Sequence, residues 1–149
     1  MKTVGAYVVV IYSGTPYVLV HKRSKRIRHG GKICAPGGSI DRHERAVDAA
    51  VRELKEESGL VVSASSARVL GTTGTHTNYM WVYKTFPALG RPSVFEVDPW
   101  DIDIPGGFVV SRHCWAPLQA LIHVLERRPM LRYPPSFTEF KVLAQQRIY

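Results

Sequence analysis

Arg52, Glu53, Glu56 and Glu57 stand within six consecutive positions, and this is where the chain could do chemistry. On a helix at about 100° per residue, Glu53, Glu56 and Glu57 cluster on one face, about 120° around from an apolar stripe of Val47, Ala50, Val51 and Leu54. The stripe is expected to be buried and the carboxylates to look outward. Like-charged neighbours on one turn repel by a few tenths of a kcal/mol per pair (~0.2–0.5), so a cation should compensate, and hard divalent ions prefer such oxygen ligands. Mg²⁺ takes one or two protein carboxylates together with waters and phosphate oxygens, and Mn²⁺ can replace it. Arg52 can reach Glu56 at i+4 or pair with Glu53, which would orient a carboxylate rather than move a proton. Upstream, Gly37 and Gly38 allow φ > 0 and close backbone approach, so a peptide carbonyl there could join a metal shell.

These residues belong to a longer pattern from Gly38 to Leu60: Gly, five residues, Glu44, seven residues, then Arg52-Glu53-Leu54-x-Glu56-Glu57-x-Gly59-Leu60. Nine constrained positions in 23 residues agree without an insertion. The segment resembles the Nudix box. The resemblance implies an α/β fold, an α/β/α sandwich around a mixed β-sheet, occupying residues 1–149 as one hydrolase domain. It implies Mg²⁺-dependent cleavage of a nucleoside diphosphate linked to a further group, such as a (d)NTP, a dinucleoside polyphosphate or capped RNA. In that box Glu53 and Glu57 would be the principal metal ligands, Glu56 would bind metal or act as base, and Glu44 and Gly59 would be supporting. The family also places a base on another loop in some members, and Glu96 and Asp98 lie where such a loop residue would be. Two alternatives carry a different meaning for the same fold: a coenzyme A-type diphosphatase, or a non-catalytic module that binds nucleotide or RNA. Arg23-Ser24, Arg28, Gly31 and Cys34-Ala35-Pro36-Gly37-Gly38 are similar to a signature of the coenzyme A group, with Ala35 where that group carries Phe. Non-catalytic members generally lose a box carboxylate, and here all three are present.

Substrate contacts are expected outside the box. Six of the 20 basic side chains fall between Lys22 and Lys32, a loop-like run around Gly30-Gly31 that would suit a polyphosphate or an RNA backbone. Arg23, at the end of a strand beside this run, is the preferred phosphate contact, with Arg28 and Lys32 as further candidates. Tyr79 lies 19 residues beyond Leu60, near the position where some diadenosine polyphosphate hydrolases carry a Tyr. His76 could hydrogen-bond a substrate, although a turn histidine is the plainer reading.

The elements that must position these groups can be read from local pattern. Val4–Tyr12 and Tyr17–His21 are β-branched and aromatic, and they flank Ser13-Gly14-Thr15-Pro16, so they predict a hairpin. Ile33–Ala35 is strand-like. Arg45–Ser58 lacks Gly and Pro and has the helical period, with Gly59 placed to end it in a left-handed residue. Arg68–Thr75, Tyr79–Phe86 and Phe108–Trp115 predict further strands, and Pro87–Gly107 an irregular excursion. Pro117–Arg127 predicts a helix with proline in its first turn. Tyr133-Pro134-Pro135 reads as a rigid linker, and Ser136-Phe137-Thr138-Glu139 as a capping box opening a last helix to about Gln146.

Composition narrows the class. The chain has 149 residues, 45% of them hydrophobic and 21% charged, which is too apolar for disorder and long enough to bury a core without disulfides. No apolar run approaches the roughly 20 residues of a membrane span, and the longest is Ala6–Tyr12. No small-residue cleavage site precedes Lys22-Arg23, and Cys34 and Cys114 lack metal-knuckle spacing, so a cytoplasmic protein with reduced thiols is expected. Nudix domains often dimerise, which makes a homodimer an open expectation. The net charge of +8 coexists with a box in which Glu44, Asp48, Glu53, Glu56 and Glu57 outnumber Arg45, Arg52 and Lys55, so the charge is polarised rather than uniform.

Overall fold

Residues 1–146 are described by the structure, a computed structural model. Strands β1 (Thr3–Tyr12) and β2 (Thr15–Arg23) form the expected hairpin, with Ser13 and Gly14 both at positive φ in the turn. Helix α1 (Ala46–Ser58) follows two short strands, β3 (Ile33–Cys34) and β4 (Gly37–Ser39). Then come β5 (Arg68–Thr73), β6 (His76–Tyr83), β7 (Val97–Asp98), β8 (Phe108–Val110), β9 (His113–Pro117), α2 (Leu118–Arg127) and α3 (Pro134–Gln145).

The sheet runs β5-β6-β1-β2-β9-β8, with β3 and β7 added to β2 and β4 to β1. It is mixed, because β1 and β6 are parallel while β1 pairs antiparallel with β2 and β4. Strand β1 is apolar without a break because both of its faces are covered. Val4, Ala6, Val8 and Val10 pack with Ala49, Ala50 and Leu54 of α1 and with Trp81 and Trp115. Tyr7 and Val9 face the other way, onto Leu118, Leu121 and Leu125 of α2 and Phe140 and Leu143 of α3. The result is helix, sheet and helices in three layers, as the resemblance implied.

Strand β6 begins at His76 rather than Tyr79, β7 falls inside the excursion expected to be irregular, and three further boundaries differ with a clear physical cause. Phe108–Trp115 is two strands rather than one, because Ser111 takes a left-handed φ of 57° and turns the chain back on itself. Pro117 closes β9 and caps α2 from outside, so it is not in the first turn of the helix. Pro134 and Pro135 are the first residues of α3 rather than a linker, which is natural where backbone N–H groups have no helical partner. Ser136 is therefore inside the helix and makes no capping bond. Its buried hydroxyl instead accepts from Tyr7 Oη at 3.3 Å and from the Ala35 N–H at 3.4 Å. No helix among the described residues is long and apolar enough to cross a membrane.

Candidate active site

The buried face of α1 is Ala49, Ala50, Glu53, Leu54, Glu57 and Ser58. This corrects the expectation that the carboxylates look outward. Glu53 and Glu57 are only 8% and 5% exposed, and they share the helix face that packs on the sheet. Val47 and Val51 are half-buried at its margin. Glu56, with its side chain 52% exposed, is the carboxylate that does look out.

A loop residue completes the cluster. One oxygen from each of Glu53, Glu57 and Glu96 lies within 4.8 Å of the others. Glu96 reaches them because its segment is fastened at two places. Its backbone carbonyl accepts from Ser24 N–H at 3.0 Å, and β7 just beyond it pairs with the end of β2. Further back, Gly90 N–H donates to Ser58 O at 3.0 Å and Ser93 N–H to Glu56 O at 3.2 Å, so the segment caps the carbonyl end of α1. Gly59 ends the helix at φ 73° as expected, and a Cβ there would collide with the backbone of Gly90. Asp98, the other acidic candidate of this segment, instead accepts the Lys25 N–H.

Arg52 holds the rim of the cluster. Its Nε and one terminal nitrogen donate to both oxygens of Glu44, at 2.9 and 3.0 Å, and the other terminal nitrogen donates to Glu53 at 3.0 Å and to Glu56 at 3.5 Å. It also donates to the Ser39 carbonyl at 3.0 Å, tying α1 to the end of β4. These contacts hold the Glu44 carboxyl below its ordinary range. The expected Arg52–Glu53 and Arg52–Glu56 pairs are present, but the strongest partner is Glu44.

Gly37 and Gly38 act by close approach alone, since neither is among the glycines at positive φ. A Cβ on Gly37 would collide with the Val4 carbonyl across the β1–β4 pair, and one on Gly38 would sit 2.5 Å from the Glu53 carboxylate. Gly37 presents an N–H to the cluster, donated to Glu57 at 3.0 Å. Burial, and then the Glu53 charge, raise the Glu57 carboxyl well above its ordinary range despite that donor. Glu53 is also raised, by burial, against the pull of Arg52. Behind Glu57 lie His21, with Nε2 3.7 Å from the carboxylate, and His113, whose ring meets that of His21 edge-on at 5.2 Å. Burial holds both imidazoles neutral, with His113 lowered to about 4. A metal fits this donor set: three carboxylate oxygens converge, two of the carboxyls pay a burial cost as anions, and among the described residues no protein cation other than the Arg52 guanidinium at the rim is paired with them.

The cluster opens onto a cleft of about 760 Å³ whose lining includes Gly37, Gly38, Glu53, Glu57, Glu96 and Arg23. Arg23 donates twice to the Arg28 carbonyl, at 3.1 and 2.8 Å, and lies over the Tyr133 ring at 4.8 Å. The other expected substrate contacts are outside the lining. Arg28 is exposed and contributes its carbonyl, while Lys32 donates to Met130 O at 3.2 Å. Tyr79 packs on the α1 side of the sheet, because along β6 it is His76 and Asn78 that turn to the cleft. The far wall carries His76, Asn78, Ser136 and Glu139, of which only His76 was a candidate substrate contact in the sequence.

Carboxylates converge from a helix and a loop at the mouth of a cleft, on a mixed sheet between helical layers, in a donor set that suits a divalent ion. Residues 1–133 match the NUDIX domain model, and the chain belongs to that family. It is 38% identical over 82 residues to a putative 8-oxo-dGTP diphosphatase 3 of Mycobacterium tuberculosis, a match covering 50% of this chain and 36% of that relative. The chain thus spans little more than a third of that relative's length. Among solved structures it is similar to a NUDIX hydrolase from Alicyclobacillus acidocaldarius (TM-score 0.66, 15% identity, 96% of this chain and 90% of that one). It is also similar to an Ap4A hydrolase from Caenorhabditis elegans (TM-score 0.62, 16% identity, 96% of each chain). At these identities the structural likeness establishes the fold.

Proposed function

We propose that this chain is a metal-dependent diphosphatase that cleaves the P–O–P link of a nucleoside diphosphate joined to a further group. The observation that carries this reading is the convergence of Glu53, Glu57 and Glu96 within 4.8 Å at the mouth of a cleft large enough for a nucleotide. Mg²⁺, or Mn²⁺ in its place, would be held by these three carboxylates. When bound, such an ion neutralises phosphate oxygens and lowers the pKa of a coordinated water. The chain's own residues do the positioning. Arg52 fixes Glu53 from the rim, the Gly37 N–H fixes Glu57, and Gly38 leaves room for the Glu53 carboxylate. Arg23, braced by the Arg28 carbonyl and stacked on Tyr133, presents the cationic face that a phosphate needs. Glu96 or Glu53 would take the proton of the attacking water, whose oxygen forms the new P–O bond as the bridging oxygen leaves. Glu56, outside the cluster, serves the rim through Arg52.

The names of the similar proteins support a nucleotide substrate, either a nucleoside triphosphate or a dinucleoside polyphosphate. The exposed Lys25, Arg26 and Arg28 make RNA a further candidate partner for the same surface. A cytoplasmic setting fits two buried free thiols, both raised by burial to about 12. The test is phosphate release from a panel of nucleoside triphosphates, diadenosine tetraphosphate, capped RNA and coenzyme A, with and without Mg²⁺. Mg²⁺-dependent release that Glu57→Gln abolishes is expected. Nucleotide binding with no release from any member would leave a binding module instead.

A further inference from the structure

The far wall of the cleft holds polar groups that the hydrolytic reading does not use. Thr3 Oγ1 lies 2.6 Å from His76 Nδ1, and His76 Nε2 lies 2.7 Å from Asn78 Oδ1. The Asn78 amide in turn pulls the Glu139 carboxyl down, against the rise that burial causes. Glu139 is 9% exposed and lines the cleft, and its Oε2 has no partner. An unmatched buried carboxylate oxygen is costly to keep unless something supplies a donor.

The chain of bonds has a direction. The amide oxygen of Asn78 can only accept, so His76 Nε2 carries the hydrogen and Nδ1 accepts from the Thr3 hydroxyl. Asn78 then has only N–H groups left to offer. The relay from β1 to β6 therefore presents donors beside Glu139, and a ligand reaching that carboxylate must bring donors too. Gly5, between Thr3 and Tyr7 on β1, is required for this, because a Cβ there would collide with Asn78 Oδ1.

Tyr133, the extended residue just before α3, lines the same cleft as Glu139, with Arg23 over its ring. A nucleotide whose phosphate meets Arg23 would bring the polar edge of its base toward Glu139. We infer that Glu139, beside the Thr3–His76–Asn78 relay, makes this cleft selective for a guanine-type base, whose adjacent ring N–H and exocyclic amine are two donors for one carboxylate. The inference rests on the cleft being the nucleotide site proposed above. It adds which base that site takes.

The test uses nucleoside monophosphates, so it needs neither hydrolysis nor metal. Calorimetric titration of the intact protein should find GMP bound at least about tenfold more tightly than AMP, the discrimination expected of a good bidentate base contact, with IMP, which lacks the amine, in between. Glu139→Gln should bring GMP to within about twofold of AMP and leave AMP unchanged, since one acceptor of the pair is lost. Because IMP against GMP alters only the ligand, the comparison stands even if the variant folds poorly. Equal binding of the three, tighter binding of AMP, no binding of any at millimolar concentration, or a GMP preference that survives in Glu139→Gln would each overturn the inference. A GMP preference without Mg²⁺-dependent phosphate release would keep it and remove the proposed activity. Release from every nucleotide alike, with no base preference, would do the reverse.

Discussion

The two ends of the cleft are both built on buried carboxylates, yet they are assembled in opposite ways. At one end Glu53 and Glu57 stand one helical turn apart on α1, where Arg52 of the same helix holds Glu53 and the Gly37 N–H holds Glu57. At the other, Glu139 of α3 lies beside the Thr3–His76–Asn78 relay, with Thr3 and His76 already 73 positions apart in the chain. The pairing of the first two carboxylates follows from spacing along one helix, with Glu96 joining them from a loop. The other end exists only once β1, β6 and α3 have been packed together. On the reading proposed above, the chemistry would be held by local structure, while the part that chooses among substrates would be free to be rebuilt from surrounding elements.

The contrast predicts a gradient of effects. Glu57→Gln should cost the largest factor, at least about 100-fold in metal-dependent turnover, which is the scale seen when a central electrostatic group is removed. Circular dichroism should show the fold retained, and a variant with full turnover would sink the metal-site assignment. Arg52→Lys keeps the charge but loses the fork that grips Glu44 and Glu53 together, so metal affinity should fall by about 10- to 100-fold. A Mg²⁺ titration of activity would show this as a rightward shift with much of the maximal rate kept.

Proton linkage probes the Glu53–Glu57 end by another route. His113, buried and lowered to about 4, binds a proton more weakly folded than unfolded. The stability it confers is present above about 6.5 and is lost as pH falls toward about 4. With the unfolded imidazole titrating across this range while the folded one stays neutral, it accounts for about 2 kcal/mol between pH 7 and pH 5. Thermal melts should therefore drop by several degrees across that interval, and His113→Phe should flatten the dependence. Glu57 works in the opposite sense. Its raised carboxyl destabilises the metal-free fold as pH rises above the ordinary carboxylate range, so Mg²⁺ should raise the melting temperature more at pH 8 than at pH 6. A Mg²⁺ shift that does not depend on pH would argue against Glu57 as a ligand. At the small end, Tyr79→Phe should change turnover less than about twofold, because Tyr79 packs on the α1 side of the sheet. A larger loss would restore it as a substrate contact.

What could be read in the sequence follows the same division. Helix α1, its left-handed stop at Gly59, the β1–β2 hairpin and the Glu53/Glu57 pair all rest on spacings of a few residues, and they stand where pattern placed them. Which way the helix faces was not legible. The apolar period pointed to Val47 and Val51, but the two small alanines, Ala49 and Ala50, allow the helix to approach β1, and this turns Glu53 and Glu57 inward. Glu96 was one acidic residue among several in an irregular segment, and only the hydrogen bonds from Gly90, Ser93 and Ser24 single it out over Asp98. Glu139 looked like half of a capping box, because Pro134 and Pro135 gave no hint that they would open the helix two residues earlier. Asn78 gave no sign at all, as one polar residue in a strand differs from another only in what it faces.

The fastening of the Gly90–Ser93 stretch to the end of α1 has a consequence for how tightly the acidic site grips its ion. A loop that had to be gathered in each time a cation arrived would charge its ordering entropy to every binding event. Here that entropy is spent once, at folding, by backbone bonds to Ser58 and Glu56 and by the mutual contact of two glycines. Affinity for the ion thus becomes hostage to two residues that touch neither it nor the substrate. Gly90→Ala, whose Cβ would press on the Gly59 backbone at 3.0 Å, should loosen the grip by setting Glu96 adrift while Glu53 and Glu57 stay in place, which a Mg²⁺ titration of activity would show as a rightward shift.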